Sequence, residues 1–280
     1  MRALVLAAGR GERLRPLTDA IPKPLAPVLR RPVIEHLLPR LRAAGAEEIV
    51  VNVHWLADRM RARVRGVTFV EEPRLTGTAG PLASAAARLA GAPFVVASGD
   101  GFHDVDLGAL VARHASAGAI ATVGLMRIPS PERSALAELD ADGMLVRYVE
   151  KPAPEDVFTD LASIGLYVFE PEVLDLVPRD RPYDMARELI PSLLPHGVAG
   201  WVAEGYWNDI GTPEDLLAAN LWAAGGDSVS GPYSTIGEGA VVRNALILPG
   251  AVVPPGARVE NTVFGDGEGV WEAWRRDAST

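Results

Sequence analysis

The stretch from Ala3 to Leu25 restricts the fold of this chain more than any other part of the sequence. Residues 3–8 form a short, entirely apolar run that ends at Gly9, as does a strand buried on both faces of a parallel sheet. Gly11, Arg13, Lys23 and prolines at 16, 22 and 24 follow. Glycines let backbone amides approach an anion, basic side chains add charge, and prolines make the loop stiff. The sequence therefore predicts a phosphate-binding loop after the first strand.

Strands alternate with helices over the first half of the chain. Further strands are predicted at 48–54, 68–70, 93–98 and 119–126, and helices begin at Pro32, Gly80 and Leu107. This alternation predicts the α/β class, with a doubly wound, mixed but mainly parallel sheet. A hairpin at 134–150, a strand at 163–169 and helices near 171–177, 183–194 and 213–224 complete this part. Ligands of such sheets lie at the carboxyl ends of the strands, where Gly9 and Asp100 fall.

The C-terminal part has a different pattern, which begins after a linker at 225–228. Ile236, Val242 and Leu248 are spaced six apart, and Gly-Ala recurs at 239–240, 250–251 and 256–257. A six-residue period predicts a short left-handed β-helix fragment, whereas the alternative is an irregular tail rich in glycine and proline. We therefore expect a catalytic-type domain at 1–224, the β-helix fragment at 229–270 and a tail at 271–280. Trp271 and Trp274 would cap the fragment or contact a partner subunit.

Composition excludes several classes of protein. The chain has no cysteine, which excludes disulfides, thiolate zinc sites and cysteine nucleophiles. Its formal net charge is −9 without a basic block, so we expect no nucleic-acid partner. No apolar run approaches the roughly 18 residues of a membrane span, and no signal peptide is recognisable. The expectation is a cytoplasmic protein without a membrane partner.

Several motifs together resemble those of one enzyme family. The first is Gly9-x-Gly-x-Arg-Leu-x-Pro-Leu-Thr18, followed by Pro-Lys-Pro-Leu at 22–25; it is neither a dinucleotide-binding fingerprint nor a P-loop. It resembles the signature of the sugar-1-phosphate nucleotidyltransferases. Later landmarks are Gly77–Gly80, Gly99-Asp100, Glu150-Lys151-Pro152, Ser163–Tyr167 and Trp207–Pro213. The resemblance implies a Rossmann-like nucleotidyltransferase fold. It also implies that a sugar phosphate attacks the α-phosphate of a nucleoside triphosphate and releases pyrophosphate, with Mg²⁺ required.

The resemblance also assigns roles to individual residues. Asp100 and Asp209 would hold Mg²⁺, although each could instead cap a neighbouring segment, and Asp104 and Asp106 are nearby rivals. Arg13, Lys23 and Lys151 would be the catalytic residues. The nucleotide would contact Leu6, Ala8, Gly9, Gly11, Glu72, Gly77, Thr78 and Gly80. The sugar would contact Asp100, Ala135, Glu150, Ser163 and Gly165. No general base is needed, because a phosphate with a second pKa of about 6 is largely ionised at neutral pH.

Glu72 and residues 77–82 favour GTP as the nucleotide. A carboxylate only accepts hydrogen bonds, and guanine presents two adjacent donors to it, whereas an amide suits uracil or thymine. Gly-Thr-Ala-Gly-Pro-Leu at 77–82 also resembles the mannose-1-phosphate guanylyltransferase branch. Glu71 precedes Glu72, so either carboxylate could be the one that points to solvent.

The sequence restricts the identity of the sugar and the oligomeric state less than it restricts the reaction. Ser163 stands where relatives commonly have asparagine, and Ala135 where many have glycine, so a heptose, an amino sugar or a cyclitol phosphate remains open beside mannose 1-phosphate. Alternatives are a UTP- or dTTP-dependent glucose-1-phosphate enzyme, a non-catalytic subunit that senses a nucleotide sugar, and a cytidylyltransferase for another alcohol phosphate. The β-helix fragment predicts a homo-oligomer.

Overall fold

The structure is a computed structural model that describes residues 1–278. The strands, numbered in chain order, are β1 (Arg2–Leu6), β2 (Pro27–Val28), β3 (Arg31–Pro32), β4 (Glu48–Val53), β5 (Thr68–Glu71), β6 (Phe94–Ser98), β7 (Gly101–His103), β8 (Ala121–Arg127), β9 (Ala135–Leu139), β10 (Leu145–Glu150), β11 (Leu161–Phe169), β12 (Val198–Val202), β13 (Trp207–Asp209), β14 (Val229–Ser230), β15 (Thr235–Ile236), β16 (Val241–Ile247), β17 (Val252–Val253) and β18 (Arg258–Phe264).

The α-helices are α1 (Leu17–Ala20), α2 (Ile34–Ala43), α3 (Ala57–Arg63), α4 (Gly80–Leu89), α5 (Leu107–Ala117), α6 (Ile190–Leu193), α7 (Pro213–Ala223) and α8 (Gly267–Asp277). Short 3-10 helices lie at Glu12–Leu14, Lys23–Leu25, Pro131–Arg133, Pro154–Asp156, Pro171–Leu176 and Leu194–His196. No helix in the described part of the chain is long and apolar enough to cross a membrane.

Nine strands form a central sheet. Its order is β10-β9-β11-β6-β1-β4-β5, with β8 beside β11 and β12 beside β8. β1 lies parallel to β4 and β6, and β5 parallel to β4, whereas β11 runs antiparallel to β6, β8 and β9. The predicted mixed α/β sheet is confirmed, and its parallel half contains β1.

β1 explains why an apolar run begins the chain. Ala3 and Val5 pack into a hydrophobic cluster on one side of the sheet, and Leu4 packs into a second cluster on the other side. Successive side chains of a strand point to opposite faces, so a strand covered on both faces needs an apolar residue at every position.

Two predicted helix boundaries are wrong. The helix expected at Pro32 begins at Ile34, because Pro32 lies in β3 and pairs with Pro27 of β2. The helix expected over 183–194 is instead a π-helical turn at Met185–Leu189 that continues into α6. Pro191 lies near the start of α6 and has no N–H for a normal helical hydrogen bond, which accounts for the irregular ladder.

The C-terminal repeat forms a small stack of parallel strands. β16 pairs with β14 on one side and with β18 on the other, while β15 pairs with β17. Ala245, Ile247, Val253 and Val259 fill its interior. Parallel strands one coil apart, with small apolar residues inside, form the expected β-helix fragment.

Residues 271–277 of the segment expected to be a tail belong to α8, which begins earlier, at Gly267. Asp266 caps it by accepting a hydrogen bond from the Gly269 amide (2.7 Å). Trp274 is fully buried within this chain and donates to the Leu25 carbonyl oxygen (3.0 Å), so its side chain is not left for a partner subunit. Residues 279 and 280 lie outside the described residues, and the division at 224 and 229 stays a prediction.

Candidate active site

Three adjoining cavities meet at the carboxyl ends of the parallel strands, and Asp100 lines all of them. The first, the loop cavity, has a volume of about 460 Å³ and is lined by Gly9, Arg10, Gly11, Glu12, Arg13, Lys23, Leu75, Asp100 and Gly211. The second, the Glu72 cavity, measures about 310 Å³ and is lined by Leu6, Ala8, Gly9, Asn52, Glu72, Leu75, Gly77, Thr78, Pro81, Ser98 and Asp100. The third, the Glu150 cavity, measures about 260 Å³, and its wall includes Asp100, Arg133, Ala135, Glu150, Lys151, Ser163, Gly165, Tyr167 and Asp209.

Lys23, which lines the loop cavity, and Asp209, which lines the Glu150 cavity, lie beside Asp100. β7 and β13 pair antiparallel with Asp209 opposite Gly101, which brings Asp209 next to Asp100. The Lys23 ammonium donates to Asp100 Oδ2 and lies 3.4 Å from Asp209 Oδ1. Burial lowers the pKa of Lys23, but Asp100 and Asp209 raise it more, so this pKa lies above its usual value and the side chain is a cation. The predicted pair of aspartates is therefore brought together around one positive charge.

The aspartate pair also fits a divalent cation. Burial and repulsion by Asp100 raise the pKa of Asp209, against the opposite effects of Lys23 and Arg13. Among the described residues no group of three or more His, Cys, Asp or Glu side chains is placed to hold a metal. Two carboxylates open to a cavity match Mg²⁺, which usually takes one or two carboxylates and completes its shell with phosphate oxygens and water.

The loop cavity depends on a glycine with a left-handed backbone. Gly11 has φ of 65°, and a Cβ there would lie 2.9 Å from Thr18 Cγ2 and 3.1 Å from Lys23 Cβ. Thr18 Oγ1 donates to the Gly11 carbonyl oxygen (2.7 Å) and fixes the turn. Arg13 lies against Gly211, where a Cβ would be 3.2 Å from its guanidinium. The loop thus brings Arg13 and Lys23 to one cavity.

Glu72, rather than Glu71, points into the protein. Glu71 is exposed and pairs with Arg61 at 2.5 Å, whereas Glu72 is 2% exposed. Its Oε1 accepts from the Asn52 amide, and its Oε2 accepts from the Thr76 hydroxyl (2.5 Å) and the Thr76 backbone N–H (3.1 Å). A carboxylate oxygen has about two acceptor positions, so only Oε1 keeps one. Glu72 can accept one donor from a base, not the two expected from the sequence.

Asn52 is a site residue that the sequence reasoning missed. Its Oδ1 accepts from the Ala7 backbone N–H (2.7 Å) while its amide donates to Glu72. Asn52 therefore connects the start of the loop at 7–25 with the turn at 72–76. The sequence does mark it, because Asn52 interrupts the apolar residues that follow Glu48 in β4 and lies one residue before the end of the strand.

Close contacts with neighbouring atoms explain why positions 77 and 80 are glycine. Gly77 has φ of 83°, and a Cβ there would be 2.4 Å from the Tyr183 carbonyl oxygen; at Gly80 a Cβ would be 2.3 Å from Thr76 Oγ1. Thr78 Oγ1 donates to Asp184 (3.0 Å) and accepts from the Met185 N–H (2.7 Å). This turn is therefore fixed against the segment at 183–185, which the sequence reasoning had not connected with the site.

The Glu150 cavity brings together the residues predicted to bind a sugar. Lys151 has φ of 47°, and its ammonium lies 3.2 Å from Glu150 Oε1. Ser163 Oγ lies 3.3 Å from the Tyr167 hydroxyl, and the register of β11 against β8 shifts between these two residues. At Gly165, with φ of 70°, a Cβ would be 2.5 Å from Ser98 Oγ. Irregular strand pairing of this kind is common beside active sites, where it re-aims side chains.

The two rival aspartates have structural roles. Asp106 accepts from the amides of Gly108 (2.9 Å) and Ala109 (3.2 Å) and caps α5. Asp104 accepts from the Tyr206 amide at 2.6 Å. Both carboxylates are thus engaged by backbone, and neither joins Asp100 and Asp209.

The sequence and the fold of this chain are similar to those of known proteins. Residues 2–224 match the nucleotidyl transferase family. The chain is 33% identical to a mannose-1-phosphate guanylyltransferase of Mycobacterium tuberculosis, covering 95% of this chain and 80% of that protein. It is 31% identical to a UTP–glucose-1-phosphate uridylyltransferase of Synechocystis sp., covering 95% of this chain and 87% of the relative. A Bacillus anthracis crystal structure described as a glucose-1-phosphate thymidylyltransferase superposes with a TM-score of 0.72 at 25% identity, over 80% of this chain and 95% of that one. The chain belongs to the nucleotidyl transferase family, among the sugar-1-phosphate nucleotidyltransferases.

Proposed function

We propose that this chain transfers a guanylyl group from GTP to mannose 1-phosphate or a related sugar 1-phosphate, giving a nucleoside diphosphate sugar and pyrophosphate. The observation that carries the proposal is the contact of Lys23 with Asp209 and with Asp100, the residue that lines all three cavities. The cavities suit the three parts of the reaction: phosphates beside the loop, a base beside Glu72, and a sugar phosphate beside Glu150 and Lys151.

The residues act by orientation and by neutralising charge. Lys151 would hold the sugar phosphate so that its ionised oxygen faces the α-phosphate. Arg13 and Lys23 would bind the outgoing phosphates and stabilise the negative charge that develops on them. Asp100 and Asp209 would hold Mg²⁺, which when bound would neutralise further charge on the same phosphates. Proton abstraction by a side chain is not needed.

Lys23→Met tests the role of Lys23. Removing one charge-stabilising group commonly lowers kcat about 100-fold or more, so we expect a loss of that order with the thermal midpoint recorded in parallel. Arg15→Met is the matched control, because Arg15 lies in the same loop but pairs with Asp19 at 3.0 Å and does not line the loop cavity. Equal activity of the two variants would contradict the assignment.

GTP and mannose 1-phosphate are supported by relatives and by chemistry. Several curated relatives near 30% identity, from Mycobacterium tuberculosis to Drosophila melanogaster, are mannose-1-phosphate guanylyltransferases. Glu72 offers an acceptor to the base cavity, which suits a guanine N–H and repels the acceptor edge of adenine.

The second candidate is a UTP- or dTTP-dependent glucose-1-phosphate enzyme. It is favoured by the Synechocystis relative and by the engagement of both Glu72 oxygens within the protein. Pyrophosphate release should be measured with GTP, UTP, dTTP, ATP and CTP against mannose, glucose, heptose and amino-sugar 1-phosphates and a cyclitol phosphate. Highest kcat/KM for UTP or dTTP would replace our proposal with this candidate.

A non-catalytic sensor of nucleotide sugars is distinguished by Asp209→Asn. In the enzyme we expect this variant to lose turnover, because one of two carboxylates for the metal loses its charge. A sensor would show no turnover in the wild type and unchanged binding of the nucleotide sugar in the variant, measured by calorimetry.

We also propose a homo-oligomer that uses the β-helix fragment. Val252 is 67% exposed and pairs with Thr235 of the neighbouring coil, and Ile236 next to Thr235 is 47% exposed. Light scattering after size exclusion should show a mass above 29.7 kDa, and Val252→Lys should reduce it if this face is the interface.

A further inference from the structure

The loop that carries Lys23 is held from behind by side chains that lie far away in the sequence. Three of its backbone carbonyl oxygens accept hydrogen bonds from an indole or a guanidinium. The pairs are Trp55 to Thr18 (3.0 Å), Arg59 to Ala20, and Trp274 to Leu25 (3.0 Å). The last two acceptors flank Lys23 on either side.

Helix α8 contacts this loop directly. Trp274 is fully buried, as is Leu25, whose carbonyl oxygen accepts the indole N–H. Gly267, at the start of α8, packs so closely on α1 that a Cβ there would be 2.4 Å from the Leu17 carbonyl oxygen. Both ends of the segment from Leu17 to Leu25 therefore rest on one helix from the far end of the described chain.

The same helix also supports the second donor. Arg59 donates to the Ala20 carbonyl oxygen, and its guanidinium lies 3.3 Å from Glu268 and 4.9 Å from the centre of the Trp271 ring. Glu268 and Trp271 both belong to α8. An ion pair and a cation–π contact thus hold the Arg59 head group where it reaches the loop.

The other contacts of α8 connect it with the β-helix fragment. A Cβ at Gly250 would be 2.8 Å from the Gly269 carbonyl oxygen, so the first turn of α8 lies directly on the stack. The Tyr233 hydroxyl donates to Asp277 at 2.8 Å. α8 is therefore fixed on one side to the fragment and on the other to the loop.

We propose that α8 positions the catalytic loop, with Trp274 and Arg59 as the residues that set the location of Lys23. The proposal rests on the role proposed for Lys23 above. A buried carbonyl oxygen that loses its donor must shift towards another partner or stay unpaired. Leu25 is only two residues from Lys23, so a shift of its carbonyl moves the ammonium relative to Asp100 and Asp209, and small misplacements of catalytic groups reduce rates strongly.

Trp274→Phe in the full chain is the principal test, because it keeps an aromatic ring but removes the N–H. We expect kcat/KM for the preferred nucleoside triphosphate to fall on the order of tenfold, the change that one weakened positioning contact produces, while KM for the sugar 1-phosphate stays within about twofold. Tyr233→Phe is the matched control, since it removes a hydroxyl that holds the other face of α8 and should leave both parameters unchanged.

Amide hydrogen exchange gives a readout that does not depend on turnover. In Trp274→Phe the peptide covering residues 20–26 should exchange faster than in the wild type and in Tyr233→Phe. A lower thermal midpoint with unchanged kcat/KM and unchanged exchange at 20–26 would overturn the proposal and leave α8 with a purely structural role.

Arg59→Met decides the question if Trp274→Phe does not fold. It retains most of the aliphatic stem and removes the donor to Ala20, so the same fall in kcat/KM for the nucleotide is expected, and unchanged kinetics would overturn the proposal. Faster exchange at 20–26 in a variant whose nucleotide kinetics are intact would also overturn it. Full activity of Lys23→Met would instead show that the role proposed for Lys23 fails, whatever the exchange data give.

Discussion

Glu72→Gln separates two roles of Glu72, namely holding the site together and selecting a base. In the structure Oε2 accepts two hydrogen bonds from Thr76, and Oε1 accepts one from Asn52. A glutamine can keep its oxygen towards Thr76 only by turning its own amide towards the Asn52 amide. Asn52 cannot rotate its amide to present its oxygen to this glutamine, because that oxygen already accepts a hydrogen bond from the Ala7 N–H. Every arrangement therefore leaves two donors facing each other.

The expected loss of stability follows from the number of hydrogen bonds that Glu72→Gln removes. A hydrogen bond to a charged group contributes about 1.5–3 kcal/mol, and a buried donor without an acceptor costs about 1–3 kcal/mol. We expect the free energy of unfolding to fall by about 3 kcal/mol, which for a chain of this size lowers the thermal midpoint by roughly 6–12 °C. Since Asn52 also holds Ala7, kcat/KM should fall for all nucleoside triphosphates, and it should fall most for GTP because the acceptor that Glu72 offers to the base is lost.

The assay combines a thermal melt with pyrophosphate release for GTP and UTP. Glu71→Gln is the matched control, because Glu71 is an exposed neighbour whose ion pair with Arg61 contributes little. Our reasoning is refuted if Glu72→Gln melts like the wild type and changes its preference from GTP to UTP or dTTP, since Glu72 would then be a free base-reading group.

Three further predictions use other parts of the structure. Gly11→Ala forces a left-handed backbone on an L residue and brings its Cβ within 2.9 Å of Thr18. The cost is about 1–3 kcal/mol, so kcat/KM should fall about fivefold or more; wild-type kinetics would contradict the loop geometry. Burial lowers the pKa of His103 to about 4. The free energy of unfolding should therefore be highest above pH 6.5, where His103 is neutral in both states, and should fall by about 3 kcal/mol as the pH falls towards 4. Urea titrations should show that His103→Gln reduces this pH dependence of stability, and an unchanged pH profile argues against the assignment to His103. Asp106→Ala should lower the free energy of unfolding by about 1 kcal/mol through loss of the α5 cap with unchanged kcat, whereas a loss of metal-dependent activity would make Asp106 a ligand.

The parts of the site that lie together in the sequence were predictable from it. The loop from Gly9 to Lys23 carries its glycines, prolines and basic residues in one stretch, so the chemistry of each type is enough to indicate phosphate binding. Asp100 could be placed at a strand end because it directly follows the apolar run and the glycine that mark that end in the sequence. Its partner Asp209 was placed by family resemblance, because only the pairing of β7 with β13 brings the two together.

The contacts that hold the site in place were less predictable. Asn52 joins Ala7 to Glu72, which requires knowing that β4 lies beside β1. Trp274 was expected at the end of the β-helix fragment or in a subunit interface, yet its acceptor is a backbone carbonyl oxygen 249 positions earlier. Every residue carries the same backbone carbonyl oxygen, so neither periodicity nor composition can indicate which of these oxygens a tryptophan N–H will bind.

That separation of 249 positions has a consequence for how the enzyme is made. The loop with Lys23 is translated well before α8, because Leu25 precedes Trp274 by 249 positions. At about 5–20 residues per second the interval is roughly 12–50 s. During that time the nascent chain can pair β1 with β4 and β6 while the loop still lacks its supporting helix. Under our proposal for α8, a growing chain would acquire activity only after α8 is released and folds back.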